Sequence, residues 1–508
     1  MKKRWYRGSI TVFLSLIAAV FLALICTVLE SIRIEGAKVR GAACMDLGLF
    51  SIFGEYERDL FSEYHILFFD GSYGTGNLSE EKMEARLKFF LNKNADVREK
   101  GSEIDWFRVQ NIQTDVKEYF LATDEGGKAF SDQALLFMEG LEKTEQRDPV
   151  QKETKQIEEK MQILNQKKKQ LRNLWGGIPQ KEIFAFDPIS WLDTYQEKNV
   201  FSQVIPSSFS ISAHETKRLE KVSERSKNEG NMAIPDGKKN EKEIFKNYLF
   251  LTFGNALEQK DRKGLLYEIE YVLGGYKSDK QNLEFVCREL LNVRWADNFS
   301  CIIQDPEKRK EVEKRIQDTR KKREAEKKKE EKEEIEKEIQ KDDAGKEKED
   351  KKELEKTDKT ITEMILLEWS YQESLNDVKK LFSGGCVPFQ KRSQDWEVQS
   401  AESGKTDNGA KAQKAEDGWN YEDYLWLLLE KNQILDLPMK ALDLIEWEMK
   451  KCEGTEYFCA DCCVGGIAAE AVWQIEPVFF KIASAFSGIS SQTVQYSTKG
   501  IFFYGMGE

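Results

Sequence analysis

Residues 10–29, ITVFLSLIAAVFLALICTVL, carry no charge, and only Thr11, Ser15 and Thr27 interrupt an otherwise apolar run. As a helix, a run of this length covers about 30 Å, the hydrocarbon thickness of a bilayer. It is apolar on every face, whereas the core helix of a soluble domain shows a one-sided stripe. A secretory h-region is shorter, about 7–15 residues, and ends at a small-x-small cleavage site. Thr27-Val28-Leu29-Glu30 offers no such site. The run therefore reads as a retained membrane span. Lys2, Lys3, Arg4 and Arg7 precede it, and Trp5 and Tyr6 occupy the interfacial position. The positive-inside rule then predicts a single-pass protein of the cell membrane, with residues 1–9 cytoplasmic and everything after residue 29 outside.

Beyond the span the chain predicts an α+β ectodomain. A helix continues out of the bilayer over 30–64, with Gly36, Gly41, Ala42, Ala43 and Gly48 leaving room for another helix to approach. HILFFDGSYGTGN then reads as a short strand and a Gly-rich turn. The order of its glycines matches no phosphate-binding fingerprint. Ser79 is placed to cap the next helix, and residues 106–123 alternate as one or two strands. A helical hairpin is expected over about 131–175, with Ile157, Met161, Leu164, Lys168, Leu171 and Trp175 spaced as a short coiled-coil seam. A polar loop follows at about 210–240, and a further globular stretch over 243–304 completes the first part of the ectodomain (30–305) before a Lys/Glu-rich insert at 306–360. The insert has too few large apolar residues to build a core, so a solvated helix or a disordered segment is expected. The second part, 361–508, holds amphipathic helices and, in EAVWQIEPVFF and TVQYSTKGIFFYG, two alternating segments that read as paired strands.

The chemistry on offer is sparse. A net charge of −12 argues against a nucleic-acid partner, which needs a basic face. The two histidines, His65 and His214, lie near neither a metal-ligand spacing nor a nucleophile motif. No nucleophile elbow, zincin helix or phosphate loop occurs, and no catalytic residue, metal or cofactor is assigned. Glu268 and Glu270 would share a face on a strand and diverge on a helix, and buried ion pairs with arginine are the expected role. Cys452, Cys459, Cys462 and Cys463 cluster near the C-terminus, with Cys459-Ala-Asp-Cys462 forming a CxxC. Disulfides are the default outside the cytoplasm. A thiolate metal site, a redox pair and incidental free thiols are the alternatives.

Several stretches together carry a resemblance: KKRWYRGSITVFLSL, FGEYERDLFSEYHILFFDGSYGTGN, LLYEIEYVLGGYKSDKQNL, LNVRWADN and EWSYQESLNDVKKLFSGGCVPFQK. They resemble an uncharacterised family of membrane-anchored surface proteins of Gram-positive bacteria. Its members occur among genes for tight-adherence (Tad-type, type IVb-like) pilus assembly and are likened to the TadE/TadG pilin-like proteins. The likeness runs from about residue 4 to 395, with a weaker tail, and the Lys/Glu insert is extra to it. It implies a non-enzymatic, pilin-like accessory component of a tight-adherence pilus or related surface assembly, with the membrane and other pilin-like or assembly subunits as partners. It also makes Gly8-Ser9 the candidate precursor-processing site. The fifth residue after Gly8 is Phe13, where pilin-like precursors usually carry a docking glutamate. A membrane-anchored binding module for cell wall or a partner protein is the competing class. An anchored extracellular enzyme would need a constellation that these residues do not form.

Overall fold

The computed structural model describes residues 5–96, 107–141, 150–175, 200–235, 241–334, 347–392, 396, 418–434, 436–487 and 493–504. In chain order the elements begin with α1 (Trp5–Phe53), α2 (Arg58–Tyr64), β1 (Phe69–Asp70), α3 (Glu80–Ala95), β2 (Val109–Leu121) and α4 (Asp124–Gly140). Next come α5 (Gln151–Trp175), α6 (Val200–Val204), α7 (Glu241–Thr252), α8 (Glu268–Gly274) and α9 (Asp279–Ile302). The last are α10 (Pro306–Glu334), α11 (Glu347–Phe382), α12 (Tyr421–Asn432), α13 (Leu437–Met449), β3 (Cys463–Ile475), α14 (Phe479–Ser487) and β4 (Val494–Phe503). The fold is mixed helix and sheet behind one long apolar N-terminal helix. The chain divides into two compact units, one of residues 1–146, 218–252 and 436–508, the other of 147–217 and 253–435.

The first unit is a helix-on-sheet layer. All pairings are antiparallel, and β3 lies at the centre. It pairs with β2 along one edge and with β1 and β4 in line along the other. The expected C-terminal strands do pair, from Gly466 opposite Phe503 to Ile475 opposite Val494. The segment after Glu476 is helical instead of strand, because FFKIASAF places its apolar residues at helical spacing. Helix α1 stops at Phe53, ahead of Gly54, so the helix expected to reach Tyr64 is two helices. Its C-terminal half and α3 cover the sheet, with Met45, Leu49, Phe53, Met83, Leu87 and Leu91 packed on Ile112, Ile467 and Trp473.

Small residues set how close α1 comes. A Cβ on Gly48 would stand 2.7 Å from Leu91 Cδ2 of α3, and one on Gly41 would stand 2.8 Å from the Tyr496 hydroxyl of β4. Gly48 thus admits a neighbouring helix as expected, while Gly41 admits the sheet. Ala42 and Ala43 are exposed. The Gly-rich segment is a turn, in which the Asp70 carboxylate accepts the N–H groups of Ser72 (2.8 Å) and Gly74 (2.6 Å). Ser79 caps α3 by accepting from Lys82 N–H.

The second unit is helical. Helix α9 is buried along its length and is packed by α5, α8 and α11. Its charges are neutralised inside: Arg294, fully buried, reaches Asp377 of α11 at 3.0 Å, and Lys391 bonds Asp377 at 2.8 Å. The seam of α5 is buried at Ile157, Leu164, Leu171 and Trp175. Lys168, also at a seam position, lays its ammonium 3.3 Å from the centroid of the Trp295 ring. The two helices of the hairpin expected over about 131–175 thus belong to different units, and residues 142–149 and the following Gly176-Gly177 lie outside the described residues.

The Lys/Glu run begins as helix α10 and ends as helix α11, with 335–346 outside the described residues. The start of the run does bury side chains, Val312 and Ile316, where α10 packs against α11.

Candidate functional site

The CxxC occupies a single 3₁₀ turn, Ala460–Cys462, immediately before β3. The sulfurs of Cys459 and Cys462 and a carboxylate oxygen of Asp461 all lie within 4.8 Å of one another. Two further segments of the same unit converge there. Helix α13 supplies Glu446, fully buried between Ile445 and Trp447, because a helix buried on most faces has no solvent side on which to place it. The segment after residue 218 supplies Arg225. That segment is fixed by Ser223, whose N–H and hydroxyl donate to Asp443 (3.0 and 2.8 Å), and by Trp447 Nε1, which donates to Glu220 O (2.9 Å).

Arg225 is the hub. Its guanidinium donates to both oxygens of Glu446 (2.5 and 2.7 Å) and to Asp461 Oδ1 (2.7 Å), and Nη2 stands 3.2 Å from Cys459 Sγ. Glu446 also accepts the Ala460 N–H at 2.9 Å and the Lys450 ammonium at 2.6 Å. The two cations and two carboxylates balance, as a cluster taken out of water requires.

The hydrogen bond with Cys462, then burial, push the Cys459 thiol well above its ordinary pKa. Burial does the same to Cys463. Burial would raise Asp461 too, but the Cys459 hydrogen bond and the Arg225 charge outweigh it and hold that carboxyl low. Cys459 and Cys463 therefore sit as protonated thiols, and the thiolate is the form that attacks or ligates. A metal ion fits poorly, because the Arg225 guanidinium already stands where a cation would meet Cys459 and Asp461. A helix N-terminus, which activates the cysteine of redox CxxC motifs, is replaced by a 3₁₀ turn running into a strand.

Of the four cysteines singled out in the sequence, Cys459 and Cys462 come together. Cys463 points its sulfur at Cys459 O (3.5 Å), and Cys452 lies 3.9 Å from Glu448 Oε1. Among the described residues no disulfide joins the four.

Beside the cluster opens a polar recess of about 520 Å3, lined by Thr123, Asp124 and Gly126 on one side and Arg225, Asn228 and Gly230 on the other. The backbone here is unusual: Glu125, Gly126 and Gly127 are all left-handed, at φ 50°, 71° and 86°. Asp124 accepts the N–H groups of Leu121 (2.7 Å) and Gly230 (3.1 Å). Burial nevertheless leaves its carboxyl above the usual range. Thr123 Oγ1 is buried with no hydrogen-bond partner among the described residues.

The other sequence candidates are structural or isolated. His65, the left-handed C-cap of α2, stacks on Phe137 with centroids 4.1 Å apart, and His214 Nδ1 lies 2.8 Å from Gly264 O. Glu268 and Glu270 are on a helix and diverge. Glu268 accepts the Gly254 N–H and faces Arg262 at 3.7 Å, while Glu270 accepts the Tyr421 hydroxyl (2.7 Å) and the Ala256 N–H (2.8 Å). Gly8 and Ser9 fall in the first turns of α1.

One family profile matches residues 179–315 and 353–475, more than half of the chain, under the description of a family of unknown function. The chain belongs to that family, DUF5702. The DUF5702 match takes in Arg225, Glu446 and the cysteine turn, ends with β3 at Ile475, and omits 316–352 inside the Lys/Glu run. No curated protein and no solved structure matches the chain.

Arg225 and Glu446 escaped sequence reasoning for opposite reasons. SERSKNEGN reads as a solvated loop, and nothing in it marks one arginine out. Glu446 did leave a signal, since a carboxylate amid LDLIEWEM must find a buried partner or not be buried at all.

Proposed function

We propose that this DUF5702 member is a non-enzymatic surface protein anchored by a single span. Residues 10–29 lie in the cell membrane, the N-terminus is cytoplasmic, and both folded units are outside. In this reading it serves as a pilin-like accessory component of a tight-adherence pilus or a related surface assembly. The observation that carries the anchor is the contrast within α1. Its first half leaves Val12, Phe13, Leu16, Val20 and Phe21 more than 60% exposed, while its second half buries Met45, Leu49 and Ile52 on the sheet. An 18-residue stretch of the exposed half has a mean hydropathy of 2.9, long and apolar enough to cross a membrane. Exposed apolar surface of that extent is not stable in water.

A reporter active only outside the cytoplasm, fused after Glu508, is expected to be active and to sediment with membranes. N-terminal sequencing of that membrane fraction is expected to begin at Met1 for a plain anchor or at Ser9 for a processed pilin-like precursor. A start beyond Leu29 would mean that the run is a cleaved signal. The recess beside Arg225, with its left-handed turn, favours a second reading as an anchored binding module. Loss of a wall or partner interaction on filling it from the exposed lining residue Ser226 with Ser226→Trp, with pilus assembly intact, would select that reading.

A further inference from the structure

Helix α14, FFKIASAFS, has no counterpart in the needs of a water-soluble sheet, and its position along α1 can be followed residue by residue. A Cβ on Gly500, opposite Ala469, would meet Met45 and Leu49 of α1. Further down the sheet, Trp473 and Tyr496 lie against Gly41, and the Tyr496 hydroxyl donates to Ala37 O at 2.8 Å. Arg33 Nη2 then donates to Glu476 O at 2.6 Å, and Glu30 Oε2 accepts the Phe479 N–H at 2.7 Å. As the chain advances from 469 to 479, its contacts on α1 step back from 49 to 30. Helix α14 packs along α1 from there.

The next positions on the same face of α1 are the ones that lose exposure. Cys26 is only 5% exposed, and Ala23 and Ala19 are half-covered, while Val20, Phe21, Leu24 and Ile25 around them stay above 50%. The small side chains at 19 and 23 suit close helix approach.

Charged groups mark where this apolar surface begins. Glu30 and Arg33 form a buried pair at 2.5 Å, and Glu476 faces Arg108 at 3.6 Å. Lys481, the only charge within α14, turns its ammonium back to Glu476 at the helix entrance. That is how a lysine near the end of a lipid-exposed helix reaches the interface.

We propose that α14 enters the membrane beside α1, in the leaflet nearer the folded units, and that lipid acyl chains cover its outward face. Glu30, Arg33, Glu476 and Lys481 then sit at the headgroup level, with the Glu30 carboxylate capping the N-terminus of α14. Nine residues reach about 14 Å, close to half of the ~30 Å hydrocarbon core. The proposal rests on reading residues 10–29 as the span.

The test is photo-crosslinking of the full chain reconstituted in phosphatidylcholine–phosphatidylglycerol vesicles. A benzophenone amino acid is placed in turn at Val20, Ile482 and Tyr457, all exposed side chains whose replacement removes no core contact. Lipid adducts at Val20 and Ile482 in similar yield, with only background at Tyr457, are expected. Adducts at Val20 without any at Ile482 would overturn the insertion of α14 and leave the anchor standing. A protein adduct at Ile482 in place of lipid would overturn it as well, by identifying a second chain as the occupant. Absence of lipid adducts at both positions would remove the anchor and the insertion together.

Discussion

At the scale of single residues, buried charge decides more than any catalytic motif. Arg225 holds Glu446 and Asp461, both nearly excluded from water. Removing one member of such a cluster strands its partners, at a cost of about 3–5 kcal/mol. Arg225→Ala is therefore expected to lower the melting temperature of detergent-solubilised protein sharply, with Arg225→Lys intermediate because the bidentate fork is lost. Equal melting of Arg225→Ala and wild type would show the hub to be dispensable.

Glu270 makes the opposite kind of prediction. Burial raises its pKa from the ordinary range to about 7, against the Tyr421 and Ala256 hydrogen bonds. The folded state then holds a proton that the unfolded state has released. The resulting stability is fully present below about pH 4.5 and is lost as pH rises through 7. A shift of that size corresponds to about 3 kcal/mol. Glu270→Gln is expected to flatten the fall in stability between pH 5 and 8, seen as converging melting curves at pH 5 and diverging ones at pH 8. Parallel pH profiles would refute it.

Neither residue could be ranked from sequence. Glu270 was visible as a carboxylate among apolar neighbours, but its partner Tyr421 lies in a different part of the chain, and proximity in space is what one-dimensional spacing does not encode.

At the scale of elements, hydropathy period was a good guide where one face meets one environment. The long apolar N-terminal helix, the Ser79-capped helix and the β3–β4 pair follow from it. It misled at element ends. Phe479 and Phe480 continue an apolar run that alternation reads as strand, whereas the neighbouring α1 and the Glu30 cap make helix the better packing. In the Lys/Glu run, Val312 and Ile316 are two apolar residues one turn apart, too few to register as a core pattern yet enough to pin α10 to α11. Replacing residues 321–346 with a short Gly/Ser linker is therefore expected to leave the melting temperature within a degree or two of wild type, since Lys and Glu dominate that sequence and Ile335 and Ile339 are its large apolar residues. Val312→Asp, one atom-scale change, is expected to cost more, because it buries a carboxylate without a partner. A loss of melting temperature on excision larger than that of Val312→Asp would reverse the assignment.

At the scale of the whole molecule, each unit is assembled from separated segments, and the chain passes from one to the other four times. Composition showed the Lys/Glu run as the obvious divider, yet that run lies inside the second unit. Its boundaries fall near residues 146, 217, 252 and 435, and of these the one near 217 lies within the polar loop read at about 210–240. Central β3 has a consequence in time. Asp70 pairs with Cys463 and Leu121 with Val464, so the sheet cannot close until nearly the whole chain exists. Long-range pairing of this kind is slow. While synthesis continues, the second unit can finish, but Met45, Leu49 and the edges of β2 wait uncovered, the state in which chains aggregate. A truncation before residue 463 would thus leave a chain that keeps its long apolar helix but has its first unit permanently unfinished.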